Sequence, residues 1–293
     1  MLPQTQRVSA NGIELAYQSF GDPAQPTILL IMGLGTQMIA WPEPMCQALA
    51  GLGYHVVRYD NRDVGESTWI TGSAPSLAKV ALGREQPVYR MSDMADDAVG
   101  LLDALGIDQA HVVGASLGGF IAQTVVLAHP DRVMSMSLMM TSTGSKRVGR
   151  PKPALARQLM KSRDIPDRAA AIAATVAVFT EISSPGYPID QAELRRMVSL
   201  SFDRGFNPEG RLRQLTAAVV QPNRTKQLGK VAKPTLVMHG LADPLINPSG
   251  GLALAEVIPG AKFVGFSGMA HDLPRPLVPT FVSEIAEVAG RAS

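Results

Sequence analysis

Cysteine is almost missing from this sequence. Cys46 is the only one in 293 residues, so no disulfide can close within the chain and a cysteine-rich metal site is excluded. Net charge is nearly missing too. The 27 Lys and Arg residues against 25 Asp and Glu leave a formal charge of +2, too weak a field to mark the chain for nucleic acid or an anionic membrane. There is no apolar run of about 18 residues, and residues 1–7 lack a basic stretch leading into an apolar one. From these absences we expect a cytoplasmic protein without membrane insertion, whose partner is a small molecule. Oligomeric state is left open.

What the chain does have is apolar content, 46% hydrophobic residues, enough for one large core or a core with a smaller accessory domain. Short runs rich in β-branched residues alternate with longer helix-like segments, the pattern of strands and crossover helices around a mostly parallel sheet. Buried strands are expected at residues 27–32, 54–59, 110–115, 133–140, 235–239 and 262–266. Ahead of them, residues 7–10 and 13–20 flank Asn11-Gly12, a two-residue hairpin turn. Helices are expected at 42–52, 92–105, 117–129, 250–258 and 277–291.

Between residues 141 and 231 the alternation stops. Helical patterns at 154–161, 167–181, 191–202 and 210–220 fill a stretch too long for a structureless loop. The expected organisation is a core domain of residues 1–140 and 232–293 carrying a helical cap of residues 141–231. The basic run Lys146, Arg147, Arg150, Lys152, Arg157, Lys161 and Arg163 is read first as a solvated face. Steering of an acidic substrate or contact with a membrane is the alternative. Trp41 is read as a packing anchor.

The chemistry concentrates at Gly114-Ala115-Ser116-Leu117-Gly118, between an expected strand and an expected helix. That context fits a G-x-S-x-G nucleophile elbow, in which a sharp turn lifts the serine out of the sheet. A serine hydroxyl is a poor nucleophile at neutral pH and needs a general base, itself oriented by an acid. Among the five histidines, His55 and His111 begin strands, His129 is placed to cap helix carbonyls, and His239 comes too early in the chain order. His271, on the small-residue loop Gly268-Met269-Ala270-His271, is the expected base. Asp243, in the turn after residues 235–239, satisfies the order serine, acid, histidine. Oxyanion donors are expected from the backbone N–H of Leu117 and from the loop Met32-Gly33-Leu34-Gly35, with Leu34 first and Gly33 as runner-up.

On these motifs, together with Asp60-Asn61-Arg62-Asp63-Val64-Gly65-Glu66-Ser67, the chain resembles the α/β-hydrolase superfamily over nearly its whole length. Within it, Tyr59-Asp60, Arg62-Asp63, Gly65 and the Gly268 to His271 loop look most like esterases of the aclacinomycin methylesterase type. The resemblance implies an α/β-hydrolase fold, a mostly parallel sheet of about eight strands with a helical cap inserted after strand six. Two departures stand out: Met32 replaces the histidine of many oxyanion loops, and the elbow carries Ala115 and Leu117 in place of bulkier neighbours.

The expected activity is carboxylic-ester hydrolysis through an acyl-enzyme, with no metal and no organic cofactor. Gly33, Met140, Phe179 and Met197 are candidate substrate contacts, with Met139 beside them, and they suggest a small, largely apolar ester. A lactonase, a carbon–carbon hydrolase or a perhydrolase would use the same triad. A ligand receptor on this fold is the reading from a different class.

Overall fold

The computed structural model describes residues 4–160 and 167–292. Lys161 and Arg163 of the basic run, and the end of the helix expected at 154–161, lie outside the described residues.

Eight strands form one sheet: β1 (Gln6–Ala10), β2 (Ile13–Phe20), β3 (Thr27–Ile31), β4 (His55–Tyr59), β5 (Ala110–Ala115), β6 (Val133–Met139), β7 (Thr235–Gly240) and β8 (Lys262–Phe266), in the order β1-β2-β4-β3-β5-β6-β7-β8. β1 pairs antiparallel with β2, and β2 with β4; every other neighbour is parallel. The β1–β2 turn sits at Asn11 (φ 50°) and Gly12 (φ 75°), the two positive values that a tight hairpin demands. The helices are α1 (Glu43–Gly51), α2 (Leu77–Ala81), α3 (Met91–Ala104), α4 (Leu117–Ala128), α5 (Pro153–Met160), α6 (Arg168–Glu181), α7 (Gln191–Arg204), α8 (Pro208–Val219), α9 (Thr225–Leu228), α10 (Ser249–Val257) and α11 (Val278–Gly290). Of these, α2 and α9 were not expected from the sequence.

Strand alternation divides the core between the two faces. Leu29, Ile31 and Val112 join Leu101, Ile121 and Leu254 in one cluster, beneath α3, α4 and α10. Ile28, Leu30 and Val113 join Met45, Leu49, Phe281 and Ile285 in the other, beneath α1 and α11. Because both faces are covered, β3, β4 and β5 are buried at every residue, and their sequences are largely apolar, with His55, Arg58 and His111 among the buried exceptions. Trp41 is fully buried in the second cluster, as a packing anchor should be.

Helices α5 to α9 occupy the segment between β6 and β7. Their starts are chemically marked: the side chains of Asp167, Asp190 and Asn207 cap α6, α7 and α8, and Pro208 follows Asn207 where a missing N–H costs nothing. Ile172, Val176, Leu194 and Val198 make a small apolar cluster between α6 and α7. Ala217, Leu228 and Val231, by contrast, belong to the main core, so the far end of the segment is built into the sheet domain. Buried ion pairs lock the rest. Arg213 grips both carboxylate oxygens of Asp63 at 2.8 Å, and Arg204 reaches Asp60 and Glu66 at 2.9 Å each. Arg62 forms a matching pair with Asp97 of α3, at 2.6 Å to each oxygen, which holds the Asp60 to Ser67 loop from the other side. No helix among the described residues is long and apolar enough to cross a membrane.

Candidate active site

The candidate residues follow the carboxyl ends of β3, β5, β6, β7 and β8. Ser116 follows β5 with φ 55° and ψ −117°, a conformation that a side-chain-bearing residue adopts only where the surroundings enforce it. The enforcement is visible. Ser116 N–H donates to Met139 O at 2.9 Å, and Gly119 N–H to Ser116 O at 3.0 Å. A Cβ on Gly114 would run into the Gly118 carbonyl, and one on Gly118 into the Ile31 carbonyl, so strand, turn and helix can approach this closely only with glycine there. The Ser116 side chain is partly exposed, and its Oγ makes no hydrogen bond among the described residues. Cys46, the single thiol of the sequence, is buried, and that burial pushes it up to about 11.

Asp243 and His271 are paired, with His271 Nδ1 2.7 Å from Asp243 Oδ2. The other carboxylate oxygen accepts the N–H groups of Leu245 and Ile246, each at 2.8 Å. Burial pushes the Asp243 carboxyl up, but the His271 charge, the bonds from His239 and His271 and the Ile246 N–H outweigh it and hold the group well below the usual carboxylate range. His239 is fully buried; its Nε2 lies 2.8 Å from Ile246 O and 3.5 Å from Asp243 Oδ2. It therefore backs the acid. His129 is the C-cap of α4 through its N–H, which donates to Val125 O at 2.7 Å, while its ring pairs with Asp96 of α3 at 3.0 Å instead of with a carbonyl.

For the oxyanion, Gly33 lies against the nucleophile: a Cβ built there would be 3.1 Å from Ser116 Cβ and 3.5 Å from its Oγ. Gly35 N–H is committed to Gln214 Oε1 at 2.8 Å, which removes it as a donor. The N–H groups of Gly33, Leu34 and Leu117 have no hydrogen-bond partner among the described residues. Met140 continues from β6 with φ 49°, beside the Met139 carbonyl that holds Ser116, and is buried with Met139 in the core. Phe179 and Met197 pack against the small cluster between α6 and α7.

Residues 26–274 match the family described as the alpha/beta hydrolase fold. The chain belongs to that family. The hydrolase fold accounts for the strand order, the serine at the sharp turn after β5 and the chain order of serine, aspartate and histidine. Among curated relatives, Rhodomycin D methylesterase DauP of Streptomyces sp. (strain C5) is 29% identical over 291 residues, covering 92% of this chain and 93% of the relative. 3-Oxoadipate enol-lactonase 2 of Acinetobacter baylyi is 27% identical, covering 86% and 84%. The solved esterase RhEst1 of Rhodococcus sp. ECU1013 superposes with a TM-score of 0.74 at 23% identity over 100% of both chains, a likeness of fold.

Sequence reasoning missed the clamp around the hydrolase-fold histidine loop. Residues 182–186, just after α6, run along residues 268–272. His271 N–H donates to Ile182 O at 3.0 Å and Gly186 N–H to Gly268 O at 2.9 Å. Ser184 Oγ donates to Asp272 Oδ1 and accepts Ala270 N–H at 2.8 Å, while Ser184 N–H reaches Asp272 Oδ2 at 3.2 Å. Burial pushes the Asp272 carboxyl up, against the opposing pull of these Ser184 bonds. No local pattern announces such a contact, because its partners lie on opposite sides of two strands.

Proposed function

We propose that this protein hydrolyses carboxylic esters of small molecules through Ser116, His271 and Asp243. His271 Nε2 takes the Ser116 proton as Oγ attacks the ester carbonyl, and Asp243 stabilises the imidazolium that forms. The tetrahedral oxyanion is held by the N–H of Leu117 and that of Leu34, each worth on the order of 10²- to 10³-fold in rate. Collapse expels the alcohol, which leaves with the proton from His271. Water activated by the same imidazole then attacks the acyl-enzyme, and the acid is released. The observation that carries the reading is the Asp243–His271 pair at 2.7 Å on the sheet edge where Ser116 is held at φ 55°.

The activities for which the methylesterase and the enol-lactonase are named, methyl-ester and enol-lactone cleavage, are both acyl transfers to water, and the same triad serves either. The closer relative by identity favours the ester. Gly33, in contact with Ser116, is the supported member of the proposed substrate-contact set, and an apolar substrate would meet Met140, Phe179 and Met197 only if the helices between β6 and β7 fold over the serine.

Hydrolysis of 4-nitrophenyl esters of graded acyl length, by the wild type and by Ser116→Ala, tests this. Turnover that vanishes in the variant is the expected result. A folded wild type that cleaves none of them, or a Ser116→Ala protein that cleaves them equally well, would sink it.

A further inference from the structure

Arg204, Arg211 and Arg213 all lie where α7 and α8 face the loops of the sheet domain, and the outer two are paired with carboxylates. Arg204 donates to Gln37 Oε1 at 2.6 Å as well as to Asp60 and Glu66. Arg213 adds the Gly72 carbonyl, at 2.6 Å, to its two bonds with Asp63. The Arg211 side chain has no hydrogen bond, ion pair or ring contact among the described residues.

Its position is specific. The stem crosses Gly35, so that a Cβ built on that glycine would lie 2.9 Å from Arg211 Cγ and 3.1 Å from Cδ. Two residues earlier, Gly33 touches Ser116. The same short loop therefore carries the nucleophile at one end and Arg211 at the other. Gln214, on the next turn of α8, fastens the helix to this loop through Gly35 N–H. The guanidinium is crowded by protein, and burial lowers its pKa with no carboxylate nearby to offset the cost. Yet Arg211 is only partly buried and Gly35 is exposed, so the crowding is that of a cleft wall and not of a sealed core. An uncompensated guanidinium in such a place is costly unless an anion joins it, and its planar fork of donors matches a carboxylate.

We propose that Arg211 anchors a carboxylate carried by the substrate, so that the ester cleaved at Ser116 is also an acid. This deepens the ester-hydrolase reading and rests on Ser116 as the nucleophile. The carboxylate is a second group of the substrate, distinct from the one that hydrolysis releases, and its role is binding and orientation.

The test uses paired 4-nitrophenyl esters of equal chain length, such as the adipic acid monoester and the hexanoate, with shorter and longer pairs, and corrects for spontaneous hydrolysis. In the wild type kcat/KM favours the acidic member at the fitting length. Arg211→Gln lowers the acid-to-neutral ratio by about ten- to a hundredfold, as expected for a charge-assisted bond, and Arg211→Lys restores part of it. A ratio that is the same in wild type and Arg211→Gln at every length overturns the proposal while leaving Ser116-dependent turnover intact. Should no ester be cleaved, the hydrolase reading fails separately, and calorimetry on the Ser116→Ala protein still decides about Arg211. Adipic acid monoamide binding at least tenfold more tightly than hexanamide, with the difference lost on adding Arg211→Gln, supports the anchor; equal affinities overturn it.

Discussion

At the scale of the residue, the role proposed for Asp243 depends on the groups around it. Its Oδ1 receives the N–H groups of Leu245 and Ile246, so only Oδ2 faces His271 Nδ1, with His239 Nε2 farther off at 3.5 Å. In Asp243→Asn the amide oxygen must keep the two backbone donors, which turns the amide NH₂ toward both imidazoles. His271 can then meet it only as an acceptor at Nδ1, which puts the proton on Nε2, where the base needs a lone pair. The expected loss in kcat is about 10⁴-fold with the fold retained, by analogy with the wrong-tautomer effect in serine proteases. Steady-state kinetics with a 4-nitrophenyl ester checks it, and a loss below tenfold would remove Asp243 as the orienting acid. The motif around Ser116, the position of Asp243 after its strand and the small-residue loop of His271 were all legible in the sequence, because each is a local pattern. The hydrogen bonds that make Asp243 directional were not, since backbone N–H directions have no sequence signature.

At the scale of the element, the central strands were legible because both faces of the sheet are covered there and the chain answers with short, largely apolar runs. The Asn11-Gly12 hairpin was legible because only certain residues accept its two positive φ values. Short elements such as α2 and α9 carry too few turns to show a period. Contacts between elements were the least legible: the Ser184–Asp272 clamp joins the segment after α6 to the loop after β8, and nothing in either stretch points to the other. Its consequence is testable. Ser184 serves the Asp272 carboxylate through both Oγ and N–H and also takes Ala270 N–H, so truncating the side chain leaves a buried carboxylate and an N–H short of partners one residue on either side of His271. Ser184→Ala should lower kcat about tenfold with KM within about threefold, corresponding to one lost bond to a charged group. A rise in KM at constant kcat would instead assign this segment to substrate binding.

At the scale of the whole molecule, folding stability should depend on pH through a histidine remote from the chemistry. His111 of β5 is buried, paired with Ser135 Oγ at 2.9 Å and set edge-on to Tyr54, and burial lowers its pKa from 6.5 to about 4. Between those two values the unfolded chain takes up a proton that the folded chain excludes, so stability rises with pH across the window and is lost on acidification, by at most about 3 kcal/mol. His55, whose pKa is lowered by burial against a smaller opposing pull from Asp22, adds a further loss of the same sign. Asp243 acts in a different window. Its depressed pKa contributes stability that is present above the unfolded carboxylate value, about 4, and disappears only as the pH falls below it. Urea unfolding at pH 7.5, 6.0 and 4.5 should therefore show a decline that His111→Gln flattens, with the remainder carried by His55. A decline of unchanged slope in His111→Gln would mean that His111 takes up its proton as readily inside the folded sheet as in the unfolded chain, and so contributes none of the acid sensitivity.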